Sequence, residues 1–369
     1  MQMGFRWYGE DNDRISLSYI KQIPGVSTIV WALHHKLPGE LWEESEIQRV
    51  MEQIRAHGFN GDVVESVNVH DDIKIGKDTR DGWIEIYKQC IRNLSKYGVK
   101  VICYNFMPVF DWTRSDLFHP LEDGSTALYY EKNTIQKDHN AMAKYILDFT
   151  EKYHISFPGW EPERMAKLDQ LFQEYAQVDH EKLWENLRYF LEAIMPTCEA
   201  CGVKMAIHMD DPPWDIFGLP RLLTNEANIH RFLHMVDHPC NCLTLCSGSL
   251  NADPNNHVAD IVRKYCDRIA FAHIRNVKHF PNGDFSEASH RDRDGDTGIL
   301  QILQAYHKQG YQGYIRPDHG RHLWGEGPGN VRPGYGLYDR ALGIMYMLGA
   351  WDLMDKQAQE VKHDSDETT

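Results

Sequence analysis

Positive charge is the scarcer sign in this sequence: 39 lysines and arginines stand against 54 aspartates and glutamates, a formal net charge of −15. Such a surface repels a phosphate backbone, so nucleic acid is not an expected partner. The opening residues, MQMGFRWYGEDNDR, lack a basic segment followed by an apolar run. No later apolar stretch reaches the roughly 18 residues of a membrane span. The expectation is a soluble cytoplasmic protein without a membrane partner. Cysteine is sparse too, and without a secretion signal the 8 residues at 90, 103, 198, 201, 240, 242, 246 and 266 should be free thiols. Cys198 and Cys201 form a lone C-x-x-C at the end of a helical pattern and read as structural. No dinucleotide glycine fingerprint or Walker loop follows any strand.

What is present is alternation. Short β-branched or aromatic runs at 5–9, 28–33, 62–66, 99–107, 204–210, 242–248, 269–276 and 313–319 read as strands. Helical patterns fall at 12–22, 43–56, 81–96, 180–200, 219–236, 257–266, 297–308 and 336–354. Eight such units predict an α/β protein, a closed (β/α)8 TIM barrel rather than an open doubly wound sheet. Asp81 is a candidate cap for the third helix, and Gly98 follows its last turn. The rhythm breaks once, where residues 108–179 intervene after the fourth strand; this is read as a cap-like insertion on the top face. Residues 356–369 are polar and read as a frayed tail of the single domain 1–369.

In such a barrel the C-terminal strand ends converge on one mouth. Four consecutive predicted strands finish on ligand-type side chains: His208 in AIHMDDPP, Cys246 in LTLCSGS, His273 in FAHIRN and Asp318 in IRPDHG. Two imidazoles, a thiolate and a carboxylate form a metal-binding set with positions left for substrate. With 20 histidines and 8 cysteines in 369 residues, three of them at strand ends exceed what chance placement supplies. The competing reading makes Cys246 a core thiol and both histidines hydrogen-bonded structural residues. Asp210, Asp211, Arg275 and His319 gather at the same mouth. Arg275 either clamps a substrate carboxylate with two parallel bonds or pairs with Asp210 or Asp211. The polar, glycine-rich loops 278–296 and 320–339 either bind substrate or connect elements at the surface.

The segments ESVNVHDDIK (65–74), ICYNFMPVFDWTRSDL (102–117), MAIHMDDPPW (205–214), FAHIRNV (271–277), FSEASH (285–290) and IRPDHG (315–320) resemble those of the mannonate dehydratase family, over nearly the whole chain. The resemblance implies a xylose-isomerase-like barrel. It also implies dehydration of D-mannonate to 2-keto-3-deoxy-D-gluconate, in glucuronate catabolism, with Mn²⁺ or a related divalent ion. The family's metal ligands fall on His208, Cys246, His273 and Asp318. Thiolate and imidazole by themselves suit Zn²⁺ or Fe²⁺ at least as well as Mn²⁺. The resemblance puts Mn²⁺ first, Fe²⁺ next, and Zn²⁺ as an inactive occupant.

Removing the C2 proton of an aldonic acid builds a second negative charge beside its carboxylate, so the reaction needs a cation there. The ion's open positions would take the carboxylate and a neighbouring hydroxyl. A base must remove the C2 proton and an acid must protonate the departing C3 hydroxyl. His319, Tyr335, Asp211 and Arg275 are the candidates for these catalytic roles. Asn105, Asp111 and Arg114, with Arg275, are candidates for substrate recognition. The rival readings are a sugar isomerase or epimerase on the same barrel, a metal-dependent phosphodiesterase, which the charge disfavours, and a non-catalytic sugar-acid binding barrel. A homo-oligomer, as a dimer, is expected, and the apolar residues of LYDRALGIMYMLGAWDLM serve either its interface or the barrel's own packing.

Overall fold

The computed structural model describes residues 1–10, 12–135, 139–153 and 162–367. Its strands are β1 (Gln2–Arg6), β2 (Val26–Trp31), β3 (Asn60–Glu65), β4 (Val101–Tyr104), β5 (Asp116–Pro120), β6 (Thr126–Tyr130), β7 (Lys204–His208), β8 (Asn241–Cys246), β9 (Ile269–Ile274), β10 (Asn276–His279), β11 (Phe285–Ala288) and β12 (Tyr314–Pro317). Eight of them close a parallel barrel in the order β1-β12-β9-β8-β7-β4-β3-β2, matching the eight runs expected from sequence. Parallel strands are covered on both faces, which is why β4, β8 and β9 are buried at every residue. The period of two sorts their side chains. Val30, Val63, Val101, Ala206, Cys242 and Phe271 form a cluster of their own, while the alternating Ile29, Val64, Ile102 and Ile207 join the larger core.

The helices keep the expected order with shifted ends. The span expected at 12–22 narrows to Leu17–Ile20, and that at 219–236 starts at Glu226, where the Asn225 side chain caps Asn228 N–H. Asp81 is not a cap: that helix starts at Arg80 after Thr79, and the Asp81 carboxylate accepts a 2.7 Å bond from the Tyr189 hydroxyl. The last helix runs Tyr338–Glu367, so residues 356–367, expected as a frayed tail, continue it. All eight cysteines are free, and no described helix is long and apolar enough to cross a membrane.

Residues 108–179 leave the barrel between β4 and β7. Their β5 and β6 pair as a hairpin, and β6 also pairs with β11 (Tyr130 with Phe285, Tyr129 with Ser286). With β10 this makes a second, four-stranded sheet in the order β10-β11-β6-β5, drawn from two loops far apart in sequence. Helices follow at His139–Tyr153, Pro162–Met165 and Leu168–Tyr175; residues 136–138 and 154–161 lie outside the described part.

Candidate metal centre and its surroundings

Four strand ends deliver the four candidate ligands. His208 and Cys246 are the last residues of β7 and β8, His273 lies beside Cys246 in the β8–β9 register, and Asp318 follows β12. One ligand atom from each lies within 4.8 Å of all the others. His208 Nε2 is 3.1 Å from His273 Nδ1, Cys246 Sγ is 3.6 Å from Asp318 Oδ2, and His273 Nδ1 is 3.9 Å from that oxygen.

The outer nitrogens explain the inner ones. His208 Nδ1 is 2.6 Å from the Met209 carbonyl, which only accepts, so Nδ1 carries the proton and Nε2 turns a lone pair inward. His273 Nε2 faces Glu65 at 3.6 Å, which favours a proton there and leaves its Nδ1 bare as well. Two imidazole lone pairs at 3.1 Å repel each other unless a cation lies between them. Burial opposes ionisation of Asp318, but the guanidiniums of Arg316 and Arg275 beside it oppose that and hold its carboxyl below the usual range. The group therefore fits a divalent ion by charge and by donor orientation.

A cleft opens over this cluster, with His208, Asp318, His319, Tyr335, Asn105 and Asp111 in its wall. His319 Nδ1 accepts from Arg275 Nη1 at 2.7 Å, which places the remaining ring proton on Nε2, 3.1 Å from the Tyr335 hydroxyl. That hydroxyl donates to Asp318 Oδ1 at 3.3 Å, and burial keeps its pKa well above the ordinary tyrosine value. The backbone needs glycine to bring Tyr335 there: Gly334 has φ +77°, and an added Cβ would lie 2.7 Å from Leu128 and 3.2 Å from the His319 ring. Its N–H donates to His322 Nε2 at 2.7 Å. Burial pushes the Asp111 carboxyl up to about 6, a direction that a cation at the cluster would reverse.

The other expected residues stand elsewhere. Arg114, Asp211 and Arg275 do not line the cleft; with Glu287 they form a fully buried network behind it. Arg114 bonds both Asp211 oxygens at 2.7 and 3.2 Å and Glu287 at 2.9 Å. Arg275 bonds Asp211 at 2.9 Å, Glu287 at 3.1 Å and Ser249 at 3.0 Å. An incoming carboxylate would have to displace these bonds, so Arg275 is placed as the ion-pair alternative had it rather than as a substrate clamp. Arg114 and Asp211 are likewise removed from direct contact with substrate. Burial opposes ionisation of Asp211, but the two guanidiniums outweigh it and hold its carboxyl far below the usual range, unsuited to a base. Gly248 makes room for the network, since a Cβ there would lie 2.3 Å from Arg275 Nε.

Sequence reasoning missed Glu65, Arg316, Arg6 and Tyr8. Arg316 holds Glu65 through bonds of 2.8 to 3.1 Å and lies 3.0 Å from Asp318. An arginine inside a buried strand was the available signal, because it demands carboxylate partners at the same depth.

The sequence profile of the D-mannonate dehydratase (UxuA) family matches residues 1–361. Mannonate dehydratase 1 of Halalkalibacterium halodurans is 58% identical over 352 residues, spanning 95% of this chain and 96% of that protein. The mannonate dehydratase of Bacillus subtilis is 54% identical over 361 residues, 98% of this chain and 99% of that one. The crystal structure of mannonate dehydratase from Streptococcus suis serotype 2 superposes with a TM-score of 0.86 at 41% identity, covering 97% and 96% of the two chains. A xylose isomerase domain protein from Planctomyces limnophilus, 12% identical with a TM-score of 0.55, shares the fold. With the barrel, the ligand cluster and these likenesses in agreement, the chain belongs to the D-mannonate dehydratase family.

Proposed function

We propose that this chain is a hydro-lyase that converts D-mannonate to 2-keto-3-deoxy-D-gluconate and water, using a divalent ion held by His208, Cys246, His273 and Asp318. The observation that carries the reading is the four-residue cluster at the barrel mouth, with the His319–Tyr335 pair beside it, in a chain of this family. A bound ion would supply positive charge for the electron density that builds up next to the substrate carboxylate as the C2 proton leaves. We assign Mn²⁺ first and Fe²⁺ second, with Zn²⁺ as a tight-binding ion that does not support turnover.

The side chains divide the proton work. His319, kept as the Nε2–H tautomer by Arg275, directs that proton at the departing C3 hydroxyl, the proton taken from C2 restoring the one that leaves with water, and Tyr335 orients the donor while remaining protonated itself. Asp111 is a wall carboxyl without an ion pair among the described residues, which suits it to receive the C2 proton. Asn105 faces the same cleft and is placed to bond substrate hydroxyls. Asp211 and Arg275 act through His319 as positioning residues. The excursion 108–179 and the second sheet are read as the cap of this site, and the protein as a cytoplasmic homodimer.

The test is keto-acid formation from D-mannonate by metal-stripped protein with Mn²⁺, Fe²⁺ or Zn²⁺ added back, beside Cys246→Ala. Activity restored by Mn²⁺ and lost in the variant is the expected result. Ketose formation from aldoses, with no keto acid from D-mannonate, would replace the reading by a sugar isomerase.

A further inference from the structure

Matching the arginines around the mouth with their partners leaves one guanidinium with a free edge facing the cleft. Arg114 and Arg275 are held by Asp211 and Glu287, Arg316 by Glu65 and Asp318, and Arg221 faces Asp210. Arg340 has no carboxylate in ion-pair contact among the described residues, but each of its three nitrogens bonds a carbonyl, those of Gly336, Tyr335 and Arg6, at 2.7 to 3.1 Å. Arg6 differs from all of these. It closes β1, is 3% exposed, and is the one arginine in the cleft wall.

Its hydrogen bonds both leave from Nη1, to the Trp7 carbonyl at 3.5 Å and the Val30 carbonyl at 3.3 Å, long for this donor. Among the described residues no carboxylate comes within ion-pair distance of it, and Nε and Nη2 have no partner. That free edge is the one on which a guanidinium takes a carboxylate through two parallel bonds. The scaffold holds the residue ready: Arg340 Nη1 donates to the Arg6 carbonyl at 3.1 Å, and the guanidinium lies 4.6 Å from the centre of the Tyr8 ring. Glu65 acts on Arg6 only from beyond ion-pair distance, and a buried guanidinium edge with no anion in contact is costly unless a ligand supplies one.

We infer that Arg6 grips the carboxylate of the anionic substrate, and that it is the residue by which this site tells a sugar acid from a neutral sugar of the same length. The inference rests on the proposed reaction for the identity of the acid, and on the unpaired edge of Arg6 for the contact. It assigns to Arg6 the role that sequence reasoning offered to Arg275. The two arginines lie on different sides of the cleft wall, one exposed to the ligand and one sealed behind it.

The experiment compares wild type, Arg6→Gln and Arg6→Lys in the Mn²⁺-loaded protein. Turnover of D-mannonate is measured, together with calorimetric binding of D-gluconate, its neutral amide, and Mn²⁺. Losing one side of a buried charge pair costs about 30-fold or more in affinity. Arg6→Gln is therefore expected to raise KM by at least that factor with kcat changed only a few fold. It should cut the preference for acid over amide to what the bound ion alone provides and leave Mn²⁺ binding intact, while Arg6→Lys recovers part of the preference. An unchanged KM, equal weakening of acid and amide, or a parallel loss of Mn²⁺ affinity would overturn the assignment. A wild type inactive on D-mannonate with every ion would sink the proposed reaction instead, and the acid-against-amide comparison would still decide Arg6.

Discussion

Two sets of charges share the barrel mouth and are wired in opposite ways. Behind the cleft, Arg114, Arg275, Asp211 and Glu287 are two cations and two anions, fully buried and joined by bonds of 2.7 to 3.2 Å. In the cleft wall, Arg6 has no carboxylate and Asp111 no cation in ion-pair contact among the described residues. Both sets are drawn from strand ends and from the excursions that follow them, the side on which a (β/α)8 barrel carries its chemistry. What separates scaffold from reader is the balance of partners, not the position on the barrel.

The sharpest way to break the comparison is Glu287→Ala, which leaves two buried guanidiniums short of an anion. Removing one partner of a buried pair costs about 3–5 kcal/mol. Urea unfolding should show a loss of that size; a variant as stable as wild type would mean that the rear network is not the scaffold described. A smaller effect is expected on acidification, through the loop that carries Tyr335. His322 is 2% exposed, takes the Gly334 N–H on Nε2 and faces the Thr126 hydroxyl with Nδ1. Burial lowers its pKa to about 3. The unfolded chain therefore binds this proton first, and the stability present above pH about 6.5 declines as pH falls towards 3, by a few kcal/mol. The slope of stability against pH should flatten in His322→Gln. The smallest effect on stability belongs to the cleft side. Tyr335→Phe removes bonds of 3.1 and 3.3 Å, for about 1 kcal/mol, yet should lower kcat by about 100-fold. Equal losses in both measurements would erase the distinction between the two regions.

The strands and the ligand cluster were legible because both follow local rules: a period of two, and side chains that change character where a strand ends. The wiring was not, because Arg114 meets Asp211 and Glu287 across separations of 97 and 173 residues. No local pattern tells whether Arg275 faces a ligand or a neighbour; the answer lies in Asp211 and Ser249, brought by the segments that follow β7 and β8. The hairpin of β10 and β11 was legible in part. Pro281 and Asn282 are the centre of its turn, which the Gly283 N–H closes on the Phe280 carbonyl at 3.0 Å with Gly283 at φ +87°, but the short polar segments on either side read as loop. Arg6 escaped notice because FRWYG reads as an ordinary buried strand, and its lack of a carboxylate in contact, among the described residues, shows only in three dimensions.

The four-stranded sheet has a consequence for how this protein can be altered. Its two hairpins come from different barrel loops and meet along β6 and β11, so each covers the other's backbone edge. Grafting one excursion alone into a plain barrel would leave a naked strand seeking a partner, a template for aggregation. The pair must travel together in any chimera, and a lineage that acquired one first had to keep that edge shielded until the second arrived.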